Sequence, residues 1–257
     1  MYHFFIEPSQ VDAVNKTISI LGDDVNHIRN VLRMKEGEEI TVTASPEAAS
    51  EDEPAKQYRC RIREFGEAEI FCDLCAEEDS GAELPSKIYL FQGLPKGDKM
   101  ETIIQKTVEL GVYEVVPVAM NRCVVKLDAK KAGSKVTRWQ AIAEAAAKQS
   151  GRGRIPNIAP VCSFKEALAY ADQEGISLKL IPYELAEGME ATKKLIESVK
   201  PGEAVGIIIG PEGGLEQAEV EQAKATGFSP ITLGKRILRT ETAGMTVVSW
   251  LMYQLER

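Results

Sequence analysis

The chain has 257 residues, 44% of them hydrophobic and 27% charged, with a net charge of −8. This is an ordinary globular composition, long enough for one large domain or two smaller ones, and it excludes collagenous, disordered and small disulfide-stapled chains. No apolar run is long enough for a membrane span, and the start at 1–7 lacks the basic region and apolar core of a secretory signal, so a cytoplasmic protein is expected.

The charge is unevenly spread. Residues 1–80 carry a net −10, residues 81–160 a net +6 and residues 161–257 a net −4. A basic block inside an acidic chain allows a polyanion partner if its cations share one face. The cysteines are Cys60, Cys72, Cys75, Cys123 and Cys162, an odd and small set that fits a reducing compartment. Cys72 and Cys75 form a C-x-x-C, but further zinc ligands are scarce and residues 69–75 read as a strand, so no metal is expected.

Taken in chain order, strands are predicted at 2–6, 17–20, 40–43, 58–65 and 69–75 from their β-branched and aromatic content. One helix interrupts them, with Asp23 or Asp24 as its cap and Val25, Ile28 and Leu32 on one face. Residues 45–56 are acidic and lack an apolar period, which predicts a solvated loop. A β-rich domain therefore covers 1–75. The polar stretch 76–86 marks the boundary, and a second domain covers 80–257. It alternates: strand 87–92, helix 98–110, strand 115–118, helix 134–150, helix 163–174, strand 177–181, helix 188–199, strand 204–209, helix 216–226, strand 231–233 and helix 241–256. Such alternation predicts an α/β fold, a parallel sheet covered by helices.

Ligands of parallel sheets bind at the carboxyl ends of the strands. Two loops follow such ends. One is Gly210-Pro211-Glu212-Gly213-Gly214, after the apolar strand that ends at Ile209; its glycines permit close backbone approach. The other runs from Leu233 to Ala243 and offers Thr240 or Thr242 as the cap of the last helix. Neither loop has the spacing of a nucleotide-binding P-loop or of a dinucleotide fingerprint.

GPEGG at 210–214 followed by LGKRILRTETA at 233–243 resembles the RsmE-type 16S ribosomal RNA uridine-N3 methyltransferases of the SPOUT class. Similar segments run in the same order along the chain: HIRNVLRMKEGEEI at 27–40, KGDKMETIIQKTVELGV at 96–112, and Trp139 with EAAAKQSGRGRIP at 144–156. The resemblance implies a PUA-like β-barrel that helps hold RNA, followed by a SPOUT α/β domain with a C-terminal trefoil knot. It implies S-adenosylmethionine (SAM) as methyl donor, 16S rRNA or the small ribosomal subunit as partner, a homodimer and no membrane. The acidic stretch at 45–56 looks longer than the family usually has and is given no function. Other readings left open are a SPOUT enzyme acting on a tRNA ribose 2′-hydroxyl, and a non-catalytic ribosome-assembly factor.

On that reading the cofactor is held by Ile209, Gly210, Gly213, Gly214, Leu233, Gly234, Ile237 and Leu238, with Leu233, Ile237 and Leu238 as apolar walls for adenine. Uridine N3 must lose its proton before it attacks a sulfonium carbon. A cation near O2 or O4 would stabilise the resulting anion, and Arg239 is the candidate. Glu212 and Glu241 are candidates for accepting the proton. Equally, Glu212 fits a loop-holding carboxylate, and Glu241 fits an acid favoured by the dipole in a helix's first turn. RNA candidates are Arg29, Arg33, Lys96, Lys99, Arg122, Arg152 and Arg154, each of which also fits an ordinary solvated face.

Overall fold

The structure is a computed structural model that describes residues 1–44, 56–79, 81–184, 186 and 188–256. It divides into two units, Met1–Glu83 with Ala147–Ile155, and Leu84–Ala146 with Pro156–Arg257. Among the described residues no helix is long and apolar enough to cross a membrane. The acidic segment 45–55 lies outside the described residues.

The first unit is built on β1 (Tyr2–Ile6), β2 (Val11–Asp12), β3 (Thr17–Leu21), β4 (Glu39–Ala44), β5 (Lys56–Phe65) and β6 (Glu69–Asp79). They form one sheet in the order β1-β4-β5-β6-β3-β2, antiparallel except where β1 lies beside β4. The two-residue period of strands sorts the side chains. On β5, Tyr58, Cys60 and Ile62 are buried, while Arg61 and Arg63 point outward and pair with Glu39 at 2.8 Å and Asp73 at 3.1 Å. Phe4, Ile18, Ile20, Ile40, Val42 and Ile70 complete the core. Cys72 is buried and Cys75 exposed, so the C-x-x-C points to opposite faces of β6.

Helix α1 (Asp23–Asn26) is preceded by Gly22 at φ 71°, so neither aspartate caps it as expected, and it runs on into a π-helical turn at His27–Val31. Asp24 instead pairs with Lys148 at 3.0 Å.

The second unit contains, in chain order, β7 (Lys87–Gly93), α2 (Lys99–Glu109), β8 (Glu114–Ala119), α3 (Ala129–Ser150), β9 (Asn157–Ile158), β10 (Cys162–Ser163), α4 (Phe164–Gln173), β11 (Leu178–Pro182), α5 (Met189–Glu197), β12 (Ala204–Ile209), α6 (Gln217–Ala225), β13 (Ser229–Ile231) and α7 (Thr240–Leu255). The sheet order is β10-β8-β7-β12-β11-β13, with β9 on β8, and every pairing is parallel. Its central strands are mostly apolar because helices cover both faces, with Gln92 of β7 and Glu114 of β8 as buried polar exceptions. From β7 the chain moves outward through β8, then returns to place β12 on the other side of β7. At such a reversal, crossovers leave in opposite directions and open a crevice at the strand ends.

Two helix starts differ from expectation. α3 begins at Ala129, ahead of the predicted 134, because Asp128 accepts the Lys131 N–H at 2.8 Å and caps a turn that has no apolar period. α7 is preceded by Arg239 in extended conformation, and its side chain makes no cap. Thr240 is the first helical residue, and its hydroxyl is used elsewhere.

Candidate functional site

The loops at the carboxyl ends of β11, β12 and β13 enclose a cavity of about 590 Å³. That lies within the range of roughly 300–1,000 Å³ typical of small-ligand and cofactor sites. Residues 209–215 and 232–240 line it, joined by Lys99, Pro182, Tyr183, Glu184 and Ala243. Ile209, Gly210, Gly213, Gly214, Leu233, Gly234, Ile237 and Leu238 thus all meet at one cavity, together with Glu212 and Arg239. Glu241, between the lining residues Thr240 and Ala243, does not itself line the cavity. Leu233 and Leu238 are half-buried walls, whereas Ile237 is 89% exposed and sits at the rim, which corrects its expected part as a wall. Residues 182–184 were missed in the sequence, although the carboxyl-end rule applied to β11 points to them.

Local chemistry fixes both loops. A Cβ on Gly93 would come within 2.8 Å of Pro211, so only glycine lets the end of β7 lie against the 210–214 loop. Gly234 holds φ at +102°, a conformation other residues rarely adopt. The Thr192 hydroxyl accepts from Thr232 N–H at 3.1 Å and donates to the Thr232 carbonyl at 3.3 Å, clamping the start of the second loop. Behind the first loop, Asn121 N–H donates to Glu219 at 2.9 Å and the Arg122 guanidinium donates to the Gly213 carbonyl at 3.0 Å.

Glu212 accepts the Lys96 N–H at 3.0 Å and the Lys99 ammonium at 3.0 Å. Partial burial pushes its carboxyl up, but the backbone donors of Lys96 and Glu212 and the Lys99 cation outweigh it and hold it below the usual glutamate value. Lys99 is raised in turn, first by its bond to Glu212. It also lies 3.5 Å from Glu241 Oε2, an ion pair without hydrogen-bond geometry, which leaves that buried oxygen without a donor. The Arg239 guanidinium is exposed and makes no ion pair among the described residues.

The basic candidates divide. Arg33, Lys96 and Arg239 are exposed. Arg29 donates to the Gly66 and Glu67 carbonyls, and Arg122 to Gly213. Arg152 is 3% exposed and bound to Glu83, with Nε 3.0 Å from Oε1, so it serves inside the fold and is withdrawn from the RNA set. Arg154 is half-buried. Lys99 is committed to the two glutamates.

Comparison with known proteins agrees with this architecture. The RNA methyltransferase domain family matches residues 82–252, and the RNA methyltransferase PUA domain family matches residues 20–43. The chain is 38% identical to ribosomal RNA small subunit methyltransferase E of Bacillus subtilis over 100% of its own length and 98% of that protein. It is 34% identical to the same enzyme of Mesomycoplasma hyopneumoniae, over 97% and 98% of the two chains. Among solved structures it is similar to ribosomal RNA small subunit methyltransferase E from Neisseria gonorrhoeae bound to S-adenosyl methionine, with a TM-score of 0.79, 33% identity, and coverage of 97% and 96%.

Proposed function

The chain belongs to the ribosomal RNA small subunit methyltransferase E family, and from that premise we propose that it transfers a methyl group from SAM to N3 of a uridine in 16S ribosomal RNA. The observation that carries the proposal is the cavity in which the 209–215 and 232–240 loops meet at the carboxyl ends of β11, β12 and β13. The cavity fits the cofactor. Half-buried Leu233 and Leu238 offer adenine apolar faces, and the glycine-rich backbone between Gly210 and Gly214 leaves peptide groups open to a ligand. When bound, SAM supplies the electrophilic methyl.

The protein's own groups would then orient and deprotonate the acceptor. Arg239, at the rim with its guanidinium uncommitted, is placed to stabilise negative charge on the uracil carbonyls. Glu212 is engaged by Lys96 and Lys99 and has a depressed carboxyl, which suits holding the loop and not proton acceptance. Glu241, whose buried Oε2 faces only the Lys99 ammonium at 3.5 Å among the described residues, is the better acceptor for the N3 proton. The β-rich unit is proposed to hold RNA as a PUA-like barrel.

A trefoil knot, a cytoplasmic location and a homodimer belong to the same proposal. The knot is supported by the resemblance and by the meeting of the β11, β12 and β13 ends at one pocket. The dimer is supported by α7, whose buried Val247, Val248, Leu251 and Leu255 leave Met245, Trp250, Met252 and Tyr253 at least partly exposed. Calorimetric titration of SAM into the purified protein, with labelled-methyl transfer to 16S rRNA or to small subunits from a strain lacking the gene, tests the proposal. Saturable binding and rRNA labelling are expected. Failure of both overturns it.

A further inference from the structure

The first ten residues of α3 bury none of their side chains fully against this chain. From Ala129 to Arg138 none is buried, and the first buried residue of the helix is Trp139. Gly133, Ser134 and Thr137 are weak helix formers. Lys130 and Lys131 sit in the first turn, where the helix dipole repels cations, and the first turn carries no acid. Burial and dipole give this segment no support; the helix propensity of its Ala, Lys and Arg residues, the Asp128 cap and the Arg138–Glu101 pair hold it.

The segment is also the most basic part of an acidic protein. Residues 122–138 hold Arg122, Lys126, Lys130, Lys131, Lys135 and Arg138 against Asp128 alone, in a chain of net −8. Arg138 pairs with Glu101 at 2.8 Å and Lys131 with Asp128 at 3.4 Å. Lys126, Lys130 and Lys135 make no ion pair among the described residues. Several cations chosen from the sequence are, by contrast, bonded to groups of the fold: Arg29, Lys99, Arg152 and, although exposed, Arg122.

We propose that the basic surface around the start of α3, with exposed Lys126 and Lys130 and half-buried Lys135, contacts the phosphate backbone of the ribosomal RNA. The proposal rests on the rRNA methyltransferase reading and adds to it a docking surface. Charge complementarity selects the occupant. A protein partner would need an apolar centre to bury, and residues 122–138 expose one large apolar side chain, Val124 at 67%. Lysines without aromatic neighbours suit phosphate contacts, which position an RNA without reading its bases.

The test is the salt dependence of 16S rRNA binding by the full-length protein carrying Lys126→Gln, Lys130→Gln and Lys135→Gln together. Glutamine keeps helix propensity close to that of lysine. Each phosphate contact contributes roughly 0.7–0.9 to the slope of log K against log salt, so a fall in slope of about 2 is expected, with SAM affinity and melting temperature unchanged. A control carrying Lys165→Gln, Lys200→Gln and Lys224→Gln makes the same charge change at exposed sites elsewhere and is expected to keep the wild-type slope. An unchanged slope in the first variant, an equal loss in the control, a changed oligomeric state or a lost fold would each overturn the proposal. Failure of the wild-type protein to methylate rRNA would instead overturn the reading on which it rests.

Discussion

Gln92 Nε2 donates to Thr240 Oγ1 at 2.9 Å, and that hydroxyl donates onward to the Gly210 carbonyl at 2.7 Å. One buried hydroxyl therefore joins the end of β7, the start of α7 and the loop after β12. The hydroxyl proton is committed to Gly210, so Gln92 must present its amide N–H to Thr240. Thr240→Val would orphan a donor and an acceptor at once, at a cost of about 1–3 kcal/mol in stability. SAM affinity is expected to fall at least tenfold, or about 1.4 kcal/mol, while Thr240→Ser retains both. Thermal unfolding and calorimetry check this; wild-type SAM affinity in Thr240→Val would show that the link does not shape the pocket.

Glu212 couples the 210–214 loop to Lys96 and Lys99, and its folded carboxyl lies below the ordinary glutamate value of 4.5. A depressed carboxyl adds stability that is complete above that value and is lost as pH falls through the lower folded one. Glu212→Gln is therefore expected to weaken SAM binding and to flatten the acid limb of the stability profile below pH 4.5. If the variant binds SAM normally and instead turns over slowly near neutral pH, with a rate that recovers as pH rises, Glu212 is the base.

The longer strands of both units are legible in the sequence because alternation and apolar runs are local signals, and 204–209 matches β12 at both ends, whereas the two-residue β2, β9 and β10 leave no such signal and the strand expected at 231–233 is β13 at 229–231. The two ligand loops are legible because glycine clusters follow strand ends. Long-range pairings are not. Nothing near Lys99 announces that it bridges Glu212 and Glu241, and nothing near Arg152 announces Glu83. β6 runs on through acidic residues to Asp79 because β5 pairs with it back to Lys56, a tertiary cause with no local pattern. Thr240 reads as a helix cap from its position, but the arrival of Gln92 and Gly210 gives its hydroxyl another use.

Arg239 is exposed at the cavity rim and Glu241 holds a buried oxygen without a donor. Arg239→Ala is expected to lower turnover by about 10²–10³, the loss that follows removal of one donor to a developing anion. Lysine should restore little, since an ammonium lacks the planar fork of a guanidinium. Glu241→Gln is expected to slow turnover near neutral pH with SAM still bound. Single-turnover rates on saturating RNA decide both, and a normal rate in Arg239→Ala would reduce the arginine to a positional role.

On α7, Trp250 and Tyr253 lie at least partly open beside Met189 and Ile196 of α5, around a groove of about 260 Å³. A two-fold contact over this apolar surface is expected to give a dimer at micromolar concentration. Light scattering reads the mass directly. Trp250→Glu should shift it toward the monomer, and a wild-type monomer would contradict the assembly.

The most direct test of the account is to incubate the protein with labelled SAM and small-subunit rRNA from a strain lacking the gene, then to map the labelled atom by nuclease digestion and mass spectrometry. The account predicts one methyl group on uridine N3 in 16S rRNA, lost in Arg239→Ala and weakened in Thr240→Val. A label on a ribose 2′-hydroxyl, on another base atom, or on no RNA at all would contradict it.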